Sequence, residues 1–152
     1  MEEPAYSQTD PSGEGPTRED SPQDANAYRY AAVVNRPVSH VYARWLLFED
    51  LPLVVDSLCR LQKIDDTHFV FTLSVDGVER QTRVAVLLRV PERRIAWQAE
   101  SKTFETGVLL FDTVPDKSTE VSVRIRSPAD PQMLSAVVLA CLARFKTFAE
   151  QP

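Results

Sequence analysis

The chain has 152 residues, a net charge of −5, 43% hydrophobic and 26% charged residues, and two cysteines. That length suits one domain of ordinary size, and two cysteines without CxxC spacing argue against a zinc knuckle or a dithiol redox motif. No apolar run approaches the ~20 residues that span a bilayer as a helix, which argues against an integral membrane segment.

The first 27 residues read as a disordered acidic tail. They hold four of the 11 prolines and seven acidic residues against Arg18 alone, and they lack the aliphatic residues that offset ordering entropy. The negative balance therefore belongs to the tail, and residues 28–150 form a nearly neutral domain. The tail lacks the charged-then-apolar layout of a signal peptide. With two cysteines read as reduced, the expected location is cytoplasmic.

The predicted elements follow in order. Tyr28 to Asn35 alternates as a first strand, with Tyr28, Tyr30, Ala32 and Val34 on one face. A short amphipathic helix follows, with Ser39 as its expected N-cap and Val38, Val41, Tyr42, Trp45 and Leu46 on one face. Pro52 disfavours helix at Leu51 and ends the run. Val54 to Leu58 is read as one further helical turn before a short strand at Cys59 to Ile64. Thr67 to Val75 is a strand with Phe69, Phe71, Leu73 and Val75 on one face. Asp76-Gly77 makes a two-residue hairpin, because such a turn needs positive φ. Val78 to Val90 returns, Pro91 ends it, and Arg94 to Glu100 alternates again. Gly107 to Thr113 is apolar on both faces, and Thr119 to Arg126 follows a turn at Asp116-Lys117. Asp130 caps a last helix, Pro131 takes its first turn, and Met133, Leu134, Val137, Val138, Cys141, Leu142, Phe145 and Phe148 make a wide apolar stripe.

A helix of about 19 residues spans roughly 28 Å, and an eight-residue strand roughly 26 Å. One helix therefore fits across the concave face of one twisted sheet. The inward residues of this α+β arrangement are Phe71, Leu73, Val84, Val86, Trp97, Leu109, Phe111, Val123, Met133, Val137 and Cys141. They are almost wholly apolar. Binding needs mainly shape and apolar area, whereas chemistry needs positioned acids, bases or oxyanion donors. A dry void of about 300 Å³ costs on the order of 7 kcal/mol, so such a pocket is occupied, watered at polar spots or collapsed.

The polar candidates are few. His40, in the first helical turn, and His68, opposite the phenylalanine face, read as surface groups. Two histidines on unrelated elements do not make a metal site. Tyr42 can present its hydroxyl to a ligand, or sit as an amphipathic ring at a core edge. Arg80, Arg83, Arg89, Arg93 and Arg94 fall along one hairpin and read as a solvated face rather than a nucleic-acid surface. Strict alternation puts Thr82, Val84, Val86, Leu88 and Val90 inward and sends Arg89 outward; a bulge reverses this.

Five segments carry a resemblance to a known family: PVSHVYARWLLFEDLP (37–52), DDTHFVF (65–71), VPERRIAW (90–97), GVLLFD (107–112) and RFKTFAE (144–150). In this order they resemble the START-like superfamily, which includes polyketide cyclases/dehydrases, coenzyme Q-binding START-like proteins and the birch-pollen-allergen fold. The resemblance implies a helix-grip fold. It places a sheet of about six to seven antiparallel strands around a long C-terminal helix, with one or two short helices after the first strand. It also implies a cavity between sheet and helix for a hydrophobic small molecule, here a lipid, quinone or polyketide-like compound, without a cofactor. An arginine just before a Val-Pro strand end occurs in aromatase/cyclases of the family, and Arg89 holds that place in LLRVPE (87–92). The ligand wall is then expected from Tyr42, Phe71, Leu73, Val84, Val86, Trp97, Leu109, Phe111, Met133, Val137 and Cys141. Two further readings are a polyketide cyclase/aromatase-dehydratase, with Arg89 catalytic, and a non-catalytic interaction module with a collapsed pocket.

Overall fold

β-branched and alternating runs become nine strands, and the two helical patterns become two helices. The strands are β1 (Thr17–Arg18), β2 (Ala27–Val34), β3 (Leu53–Val55), β4 (Cys59–Asp65), β5 (His68–Val75), β6 (Val78–Val90), β7 (Arg94–Ala99), β8 (Thr106–Val114) and β9 (Ser118–Arg126); the helices are α1 (Val38–Phe48) and α2 (Pro131–Glu150). The computed structural model describes residues 17–18, 27–55, 59–75, 77–100, 106–115 and 117–151.

All strands join one antiparallel sheet in the order β1-β2-β9-β8-β7-β6-β5-β4-β3. The strands number nine rather than six or seven for two reasons. Thr17 and Arg18 pair with Arg29 and Tyr28 of β2; the rest of 1–26 lies outside the described residues. Leu53–Val55, part of which was expected to be a helical turn, instead pairs with β4 through Leu53↔Leu61, Val54↔Arg60 and Val55↔Cys59. Two adjacent valines fit a pleated strand better than a helix, and Leu53 and Val55 gain burial against Cys59 and Val137. Residues 56–58 lie outside the described part.

One helix follows β2, and Ser39 is not its cap. Pro37, extended at φ −68° and ψ 157°, is the N-cap residue without a side-chain bond, and its carbonyl accepts from Val41 N at 3.0 Å. The helical ladder thus starts two residues before the expected cap. The core-facing stripe is Val38, Val41, Tyr42, Trp45 and Phe48; Leu46 is exposed, having been expected on that stripe. The β5–β6 hairpin closes through Val75↔Val78, and Gly77 has the positive φ, 78°, that the turn requires. Asp76 lies outside the described residues.

α2 begins as its sequence indicates, with the Asp130 carboxylate accepting from Met133 N at 3.0 Å and Pro131 in the first turn. It packs on β2 and also on β3, strands near opposite ends of the sheet order. Both ends of the sheet therefore curl onto one helix. Polar ties fix the crossing: Lys146 Nζ donates to Val33 O at 2.6 Å, Glu150 accepts from Asn35 N at 2.8 Å, and Arg144 donates to Val54 O. By length and composition α2 could cross a membrane; here Val137, Val138, Leu142, Phe145 and Ala149 are buried in the protein instead.

The core divides in two. The first cluster joins β2, β7, β8 and β9 to α1 and to Val138, Leu142, Phe145 and Ala149 of α2. Rings close this end: Tyr42 meets Phe111 edge-on at 5.4 Å, and Trp45, Phe48 and Phe145 are mutually packed. The second cluster joins Leu53, Val55 and Cys59 to Val137, with Leu61, Phe71, Leu73 and Cys141 against it.

Candidate functional site

The ladder between β6 and β7 carries one extra residue. Val84 pairs with Ala99 and Val86 with Trp97, but Leu88 then pairs with Ala96 and Arg89 with Ile95. Leu87 is the residue inserted, and such a bulge changes which side the following residues face. Directly paired residues share a face, so Arg89 lies on the inner side with the buried Ile95. Leu87 and Leu88 are left exposed. A single cross-strand row now runs Arg89–Ile95–Leu109–Val123–Tyr30 across the inner face.

The guanidinium meets the end of α1. Arg89 Nη1 donates to Glu49 Oε2 at 2.9 Å, and Nη2 donates to Asp66 O at 3.1 Å. Glu49, the residue after α1, also accepts from Trp45 Nε1 at 2.7 Å. Its side chain is only 7% exposed, against 24% for Arg89. The neighbouring cation is Lys63, whose partner Phe69 pairs in turn with Val84, so it too is on the inner face. Lys63 Nζ lies 2.8 Å from Asp50 Oδ1 and 3.7 Å from Asp66 Oδ1. The bond to Asp50 is the largest cause raising the lysine's pKa. These groups line an open groove of about 570 Å³ together with Ala43, Leu46 and Leu47. That volume lies within the ~300–1,000 Å³ of small-molecule sites.

Part of the inner face is only partly covered. Phe71, Leu73, Val84, Val86 and Trp97 all keep accessible surface although they face inward. Cys141 of α2 is half-buried as well. Burial pushes its thiol pKa up to about 12. Cys141 packs against the second cluster of Leu53, Val55, Cys59 and Val137. Trp97 lies across Gly107, where a Cβ would overlap the indole ring. This lays the indole along the sheet rather than across the gap.

The expected wall residues thus separate. Val84, Val86 and Trp97 occupy the inner face of β6 and β7; Phe71, Leu73, Val137 and Cys141 gather around the second cluster. Met133 is half-buried in the first turn of α2. Leu109 and Phe111 are closed inside the first cluster, with Tyr42 on Phe111. His40 Nε2 ties α1 to Ala149 O at 3.1 Å. His68 lies between Asp65 at 3.1 Å and Glu100 at 3.4 Å. Neither histidine lines the groove. Glu49, Trp45 and Lys63 were not singled out from sequence as polar partners. The one legible hint is the Trp45-to-Glu49 spacing of four on a helix.

One polar atom stands apart. The Tyr30 hydroxyl is buried without a hydrogen-bond partner among the described residues. Burial first, and the nearby Tyr28 second, push its pKa up to about 12.

No family model matches the chain. A stretch of 93 residues, 60% of the chain, is 28% identical to an uncharacterised 17.2 kDa protein of Streptomyces lincolnensis and spans 62% of that relative. Among solved structures, a protein of Deinococcus radiodurans is similar at TM-score 0.59 and 28% identity, over 80% of this chain and 95% of that one. The di-domain ARO/CYC StfQ of the steffimycin biosynthetic pathway is similar at 0.57 and 18% identity, over 80% of this chain and 44% of that one. A START superfamily protein of Mycobacterium smegmatis is similar at 0.53 and 11% identity, over 82% and 94%.

Proposed function

We propose that this chain, which has the helix-grip fold of the START-like superfamily, holds a hydrophobic small molecule between its sheet and α2. The observation that carries the reading is the row of inward apolar residues, Phe71, Leu73, Val84, Val86 and Trp97, that α2 leaves only half-buried. The lipid, quinone or polyketide class fits that wall, because its recognition rests on apolar area with few polar groups. Turnover is not required: the groove cations Arg89 and Lys63 are both already ion-paired.

The test is occupancy against cavity filling. A solvatochromic apolar dye should bind the native chain, and Cys141→Phe on the helix side or Val86→Phe on the sheet side should each weaken it about tenfold or more. Circular dichroism checks that both variants fold. Undiminished dye binding to both folded variants overturns the reading.

A second reading is favoured by the β6 bulge. It turns Arg89 to the inner face, where an aromatase/cyclase of the superfamily would use an arginine to hold a developing enolate oxygen. In that case Arg89→Ala abolishes cyclised product from a poly-β-ketone substrate while dye binding persists. Unchanged product ends this second reading.

A further inference from the structure

The ion pairs at the groove constrain what the ligand's polar end can be. Arg89 is matched by Glu49 at 2.9 Å and Lys63 by Asp50 at 2.8 Å. Asp66, fully exposed, adds a third carboxylate 3.7 Å from Lys63. The two groove cations therefore present no net positive charge to an incoming group.

A ligand carboxylate entering here meets three acidic groups. To take Arg89 it must displace Glu49, whose side chain is 7% exposed. Glu49 would keep only the neutral Trp45 indole as its described donor. A nearly buried carboxylate without its counter-ion is strongly unfavourable. A carbonyl oxygen makes no such demand. A guanidinium has five N–H donors in a fixed fork, and the described bonds of Arg89 use two of them, to Glu49 and Asp66 O. A ketone, quinone or lactone oxygen can accept from the remainder while the ion pair stays intact. The apolar rim of Ala43, Leu46 and Leu47 suits the carbon framework next to such a carbonyl.

We infer that the groove between α1 and the bulged strand β6 selects ligands whose polar end is a neutral carbonyl, and that the Glu49–Arg89 pair rejects carboxylates. This rests on the ligand-holding reading proposed above and specifies its chemistry. Glu49 is here a specificity-determining residue: it contributes to selection by occupying the cation.

The test uses two probes of equal size, tetradecanoic acid and its methyl-ketone isostere, titrated calorimetrically into the full chain at neutral pH. The native chain should bind the ketone about tenfold or more tightly than the acid. Glu49→Gln, which frees the Arg89 charge, should raise acid affinity about tenfold and close or reverse the gap. If Glu49→Gln does not fold, the double change Asp50→Asn with Asp66→Asn serves in its place, since those side chains are 58% and 100% exposed and their joint loss frees Lys63. Equal or tighter binding of the acid by the native chain overturns the selectivity and leaves ligand holding intact. No change in the ratio on freeing either cation also overturns it. Binding of neither probe by the folded chain overturns the ligand-holding reading itself.

Discussion

Glu49 and Arg89 meet at 2.9 Å although 40 positions separate them. The contact exists because one extra residue, Leu87, sits in β6. It joins the end of α1 to the inner face of the sheet and bounds the groove.

The pair makes an asymmetric prediction for stability. Arg89→Ala leaves a nearly buried carboxylate with one neutral donor, whereas Glu49→Gln leaves a cation with more solvent. Breaking a buried pair costs about 3–5 kcal/mol, and the partial exposure of Arg89 reduces this to about 1–3 kcal/mol. Urea denaturation should show Arg89→Ala as the more damaging change; the reverse order would place the cost on the arginine side.

Deleting Leu87 tests the bulge directly. The deletion restores strict alternation and returns Arg89 to the outer face. The Arg89–Glu49 coupling, read by a double-mutant cycle at about 1–2 kcal/mol in the native chain, should vanish in the deletion background. Persistence of the coupling would mean that the strand repairs its register elsewhere.

Gly107 and Trp97 form a second dependency. A Cβ at position 107 overlaps the indole, so Gly107→Ala should cost about 1–3 kcal/mol through overpacking. The same change made on Trp97→Leu should cost little, because the obstructing ring is gone. Additive costs in a denaturation cycle would show that the indole does not lie across the glycine.

How much was legible in the sequence follows from where simple periods hold. Val78–Val90 was bounded correctly because turn residues flank it on both sides, and the Asp130 cap of α2 was legible because an aspartate stands directly before Pro131 and the apolar stripe; its side chain does bond Met133 N. The face of Arg89 was not legible, since period-two reasoning fails across a bulge that nothing in LLRVPE announces. Leu53–Val55 is too short for its periodicity to separate strand from helix, and only pairing with β4 decides it. The Glu49 carboxylate was passed over for the same kind of reason: its partners, apart from Trp45, come from β6.

Tyr30 gives a prediction of opposite sign. Its hydroxyl is buried without a partner among the described residues, and an unsatisfied buried group costs about 1–3 kcal/mol. Tyr30→Phe should therefore leave stability unchanged or raise it by about 1 kcal/mol in thermal and urea unfolding. A clear loss would reveal a bond to the hydroxyl.

Glu150 sets part of the acid response. The Lys146 ammonium bonded to it, and then the Asn35 N–H, hold its carboxyl below the ordinary 4.5. A carboxyl depressed on folding stabilises the native state above its unfolded pKa, and that contribution disappears as pH falls through the folded value. Unfolding free energy should decline on acidification below about pH 4.5, and Glu150→Gln should flatten that decline. An unchanged acid limb in the variant would contradict the assignment.

Native mass spectrometry of the freshly purified full chain, before and after exposure to quinones, fatty acids and aromatic ketones, tests the interior space most directly. An added mass of one apolar molecule per chain, lost in Cys141→Phe, is the expected result. A bare mass that takes up none of these compounds would contradict the existence of a ligand space between α2 and the sheet.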